Sequence, residues 1–546
     1  MGGKIMGRYL NSSTSYVLYK GQTEQPYFVD KSQMLSELFP FLDSGNTHIC
    51  ITRPRRFGKT VMANMITAFL GKKQDSDSIF KSLKISQNDL YNKYRNQYNV
   101  ISIDFSKMPR DCDSYTDYID RIETNLIRDL RKEYPQIEIY EDDSAADVLE
   151  TIFEECDQQR FVFVLDEWDF IFHKDFVTEE NKKQYVLFLS NLLKDRSYVQ
   201  LTYMTGILPI AKYSSGSELN MFWEYTMASE MKYNEYFGFT DSEVDQLYEK
   251  YTRNTREIHI SREDLKEWYD GYHFGSVDVY CPWDVMNYAL NYCQEGKKEP
   301  VSYWKNTSGN EIIRSFIDYA GSNITRKLET LLAGNSIEQK IEENLTYDYL
   351  HSSEENLWSI LYLTGYLTKA QEESQNSLET ERTALVIPNL EVKEIYQNTI
   401  LKWFDDSVKG WERKKLFQAV WDGNEESLSA EMTKLLRKTI SYHDYKEDFY
   451  HAFLLGIFAG AGYSVESNKE HGEGRSDVVV HDVEQGRVAV FEVKYAKTLN
   501  DMSSQCAKAL KQIQDKMYAK DYEDEYEEID CYGISFYKKR CMIRKI

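Results

Sequence analysis

The chain reads as an α/β protein in three parts: a parallel sheet first, a mostly helical middle, and a small α/β domain last. Three observations lead there. Over roughly the first 230 residues, short apolar runs alternate with helical patterns, the rhythm of parallel strands joined by crossover helices. From about 235 to 440 the apolar period is mostly helical. From about 443 onward a helix is followed by a hairpin pattern, another helix and a last strand. The expected boundaries are therefore 1–232, 233–440 and 441–546.

The totals fit this division. A chain of 546 residues is too long for one core, and 42% hydrophobic with 28% charged residues is a globular balance rather than a disordered one. The net charge of −23 argues against a chain-wide grip on nucleic acid. Such a polymer would have to be held by a local patch, with a metal offsetting acidic side chains. Eight cysteines without a CxxC spacing suit reduced thiols in a cytoplasm better than disulfides or structural zinc. The longest apolar stretch, 452–463, is well short of the roughly 20 residues a membrane helix needs. The first residues lack the apolar core of a secretory signal, so a cytoplasmic protein without membrane contact is expected.

In the first part the strand-like runs are 47–52, 100–105, 161–165 and 199–205, with helical segments at 60–70 and 115–133. The run 47–52 leads into Arg53-Pro54-Arg55-Arg56-Phe57-Gly58-Lys59-Thr60. After it Val61, Met62, Met65, Ile66, Phe69 and Leu70 recur at helical spacing. Gly58-Lys59-Thr60 thus opens a helix. There, backbone N–H groups cradle phosphates, Lys59 reaches the β and γ oxygens, and the Thr60 hydroxyl is a Mg²⁺ ligand. The general form GxxxxGK[ST] wants glycine at position 53, where this chain has Arg53. A basic surface turn is the plain alternative.

The run 161–165 ends in Asp166-Glu167. A carboxylate at the end of a neighbouring strand suits the magnesium shell, and an adjacent glutamate suits polarisation of the attacking water. A strand running into a solvated helix cap is the rival reading. The next run ends in Thr205-Gly206, and Thr205 stands near the γ-phosphate if its strand lies between the other two.

These motifs, together with Phe28-Val29-Asp30-Lys31-Ser32, resemble those of the AAA-ATPase-like family, whose loop also reads Arg-Pro-Arg-Arg-Phe-Gly-Lys-Thr without a leading glycine. The resemblance continues through Tyr269-Asp270-Gly271-Tyr272, Cys281-Pro282-Trp283, Tyr303-Trp304, Thr307-Ser308-Gly309-Asn310 and Thr364-Gly365-Tyr366-Leu367. It implies a P-loop NTPase sheet using ATP and Mg²⁺. The nucleotide would meet Arg55, Arg56, Phe57, Gly58, Lys59, Thr60, Asp166 and Thr205, with Thr60 and Asp166 at the metal and Glu167 catalytic. The helical part would serve as a lid or partner-binding module, its aromatic stripes mainly as core.

Near the other end the chain reads Gly474-Arg475-Ser476-Asp477-Val478-Val479-Val480-His481, then Arg487-Val488-Ala489-Val490-Phe491-Glu492-Val493-Lys494 after a turn around Gln485-Gly486. This is a hairpin pattern. Alternation along a strand puts Glu492 and Lys494 on one face. With a tight turn at Gln485-Gly486, position 484 pairs with 487 and Asp477 falls opposite Lys494. Two carboxylates, helped by the Val493 carbonyl, offer hard oxygens to one or two Mg²⁺ ions. The lysine orients water or offsets developing charge. A surface salt bridge is the alternative.

This arrangement resembles the PD-(D/E)XK nuclease superfamily, with Asp477 and Glu492-Val493-Lys494 in the matching places, and implies a restriction-endonuclease-like fold. By the same resemblance Glu447, ahead of an apolar helix, completes the metal site, unless it only complements a helix dipole. Gln512, in the helical segment 507–518, would contact a phosphate. The basic tail of Lys538-Lys539-Arg540 with Arg544-Lys545 either touches a phosphate or is solvated.

The sequence thus predicts an ATP-hydrolysing protein coupled to a Mg²⁺-dependent domain that cleaves nucleic acid, DNA first among the polymers. Fold-level analogy sets it in mobile-element or defence biology. The expected catalytic residues are Glu167, Glu447, Asp477, Glu492 and Lys494, and the metal ligands Thr60, Asp166, Asp477 and Glu492. Assembly as a homo-oligomer is compatible with the sequence. Two rivals remain: a nucleotide-switched scaffold whose nuclease fold only binds, and an ATP sensor that does not hydrolyse.

Overall fold

The computed structural model describes residues 7–109, 112–174, 176–210, 218–228, 232–253, 261–295, 299–304, 327–328, 330–342, 354–370, 382–408, 414–439, 450, 453–455, 457–458, 463–467, 470–471, 474–475, 477–483, 485–523 and 525–546. The chain divides into two compact units, Met1–Tyr303 with Gln339–Thr383, and Trp304–Glu338 with Ala384–Ile546.

The first unit is built on five strands: β1 (Thr47–Thr52), β2 (Asn99–Asp104), β3 (Phe161–Asp166), β4 (Val199–Gly206) and β5 (Phe222–Tyr225). They lie in the order β2-β3-β4-β1-β5, and every neighbouring pair is parallel. A parallel sheet is covered on both faces, so its strands must be apolar throughout rather than alternating. That is why Phe161-Val162-Phe163-Val164-Leu165 reads as one continuous run, and all five side chains are fully buried.

The helices close over this sheet with their own start signals. Ser114 caps Tyr115–Glu133 by accepting the Asp117 N–H, and Ser144 forms a capping box with Asp147 ahead of Ala145–Glu155. Their apolar stripes, including Ile122, Leu126, Leu130, Leu149 and Ile152, join the strands in one core. The helix Lys59–Leu70 is buried on nearly every side. Because all strands run one way, the ends of β1, β3 and β4 reach the same edge of the sheet, where a ligand crevice forms.

Further along this unit a second core gathers tyrosines. Tyr251, Tyr269, Tyr288 and Tyr292 pack with Val244, Leu247 and Leu265 from the helices Asp241–Thr252, Arg262–Tyr269 and Pro282–Glu295. These stripes are core, as expected of aromatic residues at helical spacing.

The second unit holds a mixed five-stranded sheet: Ser464–Ser467, Val478–Asp482, Arg487–Tyr495, Glu528–Tyr537 and Arg540–Lys545, in that order. Only Arg487–Tyr495 and Glu528–Tyr537 are parallel, and the helix Met502–Lys516 bridges them. The hairpin register differs from expectation. Asp482 pairs with Arg487 and Val478 with Phe491, so the connection between the paired strands is four residues long rather than the two of Gln485-Gly486 alone. Gly486, at φ 64, makes the left-handed bend that closes it. Position 477 therefore lines up with 492 rather than 494, a slip of two that keeps every side chain on its expected face.

The last two basic residues of the tail also have partners within the fold. Arg540–Lys545 is a strand antiparallel to Glu528–Tyr537, with Lys545 paired to Asp530 at 2.6 Å and Arg544 to Glu425 at 3.5 Å. Its outward N–H groups at Cys541, Ile543 and Lys545 donate to Thr433, Ser429 and Glu425 of the helix Glu425–Thr439. An open strand edge is thereby covered by helix side chains. No helix among the described residues is long and apolar enough to cross a membrane.

Candidate functional site

The phosphate-binding loop sits between β1 and the helix Lys59–Leu70, with Gly58 at the helix cap in a left-handed conformation (φ 87). β4 does lie between β1 and β3, which brings Thr205 beside Ile51 and aligns β3 with β4 through Leu165 and Met204. The Thr205 hydroxyl donates to Asp166, and the Thr60 side chain bonds the same carboxylate. Thr60 thus meets two residues more than a hundred positions further along the chain at one end of the sheet. Asp166 is 4% exposed, and burial lifts its carboxyl to about 6 against the pull of both hydroxyls.

Lys59 is equally buried. Its ammonium donates to the carbonyls of Arg53 and Pro54 at 3.0 Å each. Glu167 follows Asp166 in a left-handed conformation (φ 55) that a glutamate rarely adopts. Burial raises its pKa, while Lys59 and Arg55 oppose the rise, so both cations lie within its field. Arg55 is exposed. Phe57 is fully buried, its ring 4.9 Å from those of Tyr272 and Phe274. Arg56, at φ 73, holds its guanidinium 4.7 Å from the Trp283 ring centre.

The structure explains the departure at position 53. Arg53 is fully buried, donates to the Thr52 and Tyr225 carbonyls and to Asn234 Oδ1, and lies between the rings of Phe237 and Phe274. It braces the loop from beneath and leaves the cradle to Gly58, Lys59 and Thr60. Sequence reasoning also missed Asp169, whose buried carboxylate accepts the N–H groups of Ile207 and Leu208 and so fixes the chain after β4. Gly206 is required there, since a Cβ would meet Trp168 Cδ1 at 2.4 Å.

In the second unit, Asp477 accepts the Val493 N–H at 2.7 Å, and Lys494 donates to Glu492 Oε1 at 2.8 Å. Glu492 is fully buried at mid-sheet. Its register partner is Gly533, where a Cβ would lie 2.8 Å from Cys506 O and Leu510 Cγ, so the helix Met502–Lys516 presses directly on the strand beside the acid. Gln512 on that helix donates to the Tyr518 hydroxyl at 3.2 Å. The Tyr518 hydroxyl is raised by burial and feels Glu492, Asp477 and Lys494, which places it at the cluster. Tyr518 was not foreseen. Glu447 and His451 lie outside the described residues.

Two families meet in this chain. Residues 19–215 match the "predicted AAA-ATPase" family, and residues 445–546 match the PD-(D/E)XK nuclease superfamily. An uncharacterized protein in the vnfD 5′ region of Azotobacter chroococcum mcd 1 is 23% identical over 526 residues, 93% of each chain. Among solved structures, a Walker-type ATPase of Pyrococcus abyssi aligns at 12% identity over 67% of this chain and 95% of its own, with a TM-score of 0.36. The ORC2 protein of Aeropyrum pernix aligns at 12% identity over 68% and 93%, with a TM-score of 0.29.

The donor chemistry of the two clusters can be tested against what such families generally use, a nucleotide and a divalent metal. In the AAA-ATPase-like domain the pairing of a hydroxyl with a buried carboxylate fits Mg²⁺, which takes one or two protein oxygens and fills its remaining positions from water and phosphates. In the PD-(D/E)XK domain Asp477 and Glu492 are suitable hard donors. Among the described residues, however, no three His, Cys, Asp or Glu side chains gather into a metal-binding group.

Proposed function

We propose that the protein binds and hydrolyses ATP with Mg²⁺, and that this turnover is coupled to cleavage of nucleic acid, DNA first, by its PD-(D/E)XK domain. The observation that carries the first half is the Thr60–Asp166–Thr205 hydrogen-bonded group beside Lys59 and Glu167. Lys59 is already surrounded by carbonyl oxygens, so a β/γ-phosphate offers it stronger acceptors of the same kind. Thr60 and Asp166 would hold the magnesium ion, which when bound neutralises phosphate charge. Arg55, Arg56, Phe57 and Gly58 shape the cradle, Thr205 keeps Asp166 oriented, and Glu167 takes the proton of the attacking water. In the second domain Asp477 and Glu492, with Glu447, would hold the metal, and Lys494 would steady the attacking water.

On this reading the ATPase domain spans 1–232, a helical module 233–440, and the nuclease domain 441–546. The protein works in the cytoplasm, assembles with copies of itself, and serves mobile-element maintenance or defence. Phosphate release from wild type, Lys59→Ala and Glu167→Gln tests the first half, and equal rates in all three would sink it. A cleavage assay with Mg²⁺ or Mn²⁺ on single- and double-stranded substrates, comparing wild type with Asp477→Ala and Lys494→Ala, tests the second.

One observation favours a rival for the second half. The closed Lys494–Glu492 pair and the bonded Asp477 also suit a domain that binds nucleic acid without cutting it. Intact substrates under every condition, with retained binding, would select that scaffold.

A further inference from the structure

The phosphate loop opens into a cavity of about 610 Å³, within the range of small-molecule sites and far larger than a triphosphate needs. Away from Gly58, Lys59 and Thr60 its walls change character, to Tyr27, Phe28, Phe239, Trp283, Met286 and Leu290.

The helix Pro282–Glu295 accounts for one wall, because it carries two interleaved stripes. Val285, Tyr288, Ala289 and Tyr292 are buried in the tyrosine-rich core. Trp283, Met286, Asn287 and Leu290 have the same spacing, line the cavity and are only partly covered. Trp283 is 44% exposed, a large indole left at the mouth of an apolar chamber. Its ring faces the Arg56 guanidinium, 4.7 Å away, and Arg56 also donates to the Tyr303 carbonyl at 3.3 Å. A cation over an indole is held by the same π face that a flat base would use.

We propose that Trp283 is the base-stacking and affinity-determining residue of the nucleotide site, taking the base of a nucleoside triphosphate whose phosphates lie on Gly58–Thr60. The inference rests on the nucleotide-binding reading above and adds to it the place and the partner of the base. As the base takes the indole face, Arg56 is released towards the phosphates, so loop and helix exchange partners in one step. The chamber is apolar where the base lies, so stacking and desolvation, rather than charge, supply the affinity beyond the phosphates.

The test compares ATP with inorganic tripolyphosphate, each with Mg²⁺, by equilibrium binding to wild type, W283A, W283F and K59A. Loss of one stacking platform should weaken ATP binding by about tenfold or more in W283A. Tripolyphosphate should bind W283A like wild type, and W283F should recover most of the ATP affinity. K59A should weaken both ligands. W283A binding ATP as wild type does would overturn the role of Trp283 while leaving the nucleotide site standing. An equal loss for both ligands in W283A would also overturn it, by reducing Trp283 to a scaffold for the loop. Wild type binding neither ligand would remove the nucleotide reading and this inference together.

Discussion

In the N-terminal cluster the lysine and the carboxylates stay apart, whereas in the C-terminal cluster they are paired. Lys59 rests on two backbone carbonyls while Asp166 is held by two threonine hydroxyls. Lys494 lies 2.8 Å from Glu492, and Asp477 takes a backbone amide. A buried carboxylate without a cation is costly, and the raised Asp166 carboxyl records that cost. The first cluster thus holds a charge demand that magnesium and a triphosphate would meet. In the second, Lys494 already offsets charge at Glu492 Oε1, so a metal using that oxygen would compete with the lysine. Identical residue types therefore stand at different distances from a working geometry.

The largest effect that sharpens this contrast is kinetic. Glu167→Gln keeps the shape of the first cluster and removes its base, so ATP turnover should fall by about 10²–10⁴-fold with nucleotide binding retained. Phosphate release beside a binding isotherm checks both halves, and loss of binding would show that Glu167 holds the ligand instead.

Next comes a matched pair of stability measurements. Lys494→Met removes the ammonium 2.8 Å from the fully buried Glu492 and should cost about 3 kcal/mol. Lys59→Met removes two hydrogen bonds to carbonyls and a cation's field on Glu167, without breaking a contact ion pair, and should cost about 1 kcal/mol. Urea unfolding of each variant, read for the unit that carries the substitution, gives both numbers. Equal losses would break the comparison.

What could be read from the sequence follows the same divide between local and distant causes. β1, β3 and β4 and the helix Tyr115–Glu133 were legible within a residue, since unbroken apolar runs and a serine cap act locally. Lys59, Thr60, Asp166 and Thr205 were legible because loop chemistry and strand ends are short motifs. The burial of Arg53 was not, because Tyr225, Asn234, Phe237 and Phe274, which enclose it, lie some 170 to 220 positions further on. The hairpin register slipped because turn length is set by how the chain bends at Gly486 rather than by strand composition. Tyr518 escaped because Met517, at φ 52, ends the helix and redirects the chain. Trp283 reads as core along with the other aromatics until the second stripe of its helix, Trp283, Met286, Asn287 and Leu290, is counted.

The last effect concerns Asp166 alone and runs opposite to the usual sign for a mutation. Its carboxyl titrates at about 6 in the folded chain against 3.8 as a free side chain. Below 3.8 both states are protonated and the site costs nothing. Between 3.8 and about 6 the unfolded chain gives up its proton while the folded one keeps it, so stability falls as pH rises. Above that window both are ionised and the whole cost remains. Asp166→Asn cannot ionise, and each threonine hydroxyl can turn from donor to acceptor to meet the amide. Without ligand the variant should match wild type near pH 3.5 and exceed it by about 3 kcal/mol at pH 7. Saturating Mg²⁺ and ATP at pH 7 should reverse that order, because only the carboxylate gains from the metal. A variant that is less stable at every pH would mean that Asp166 is compensated where it stands, and the contrast with Glu492 would disappear.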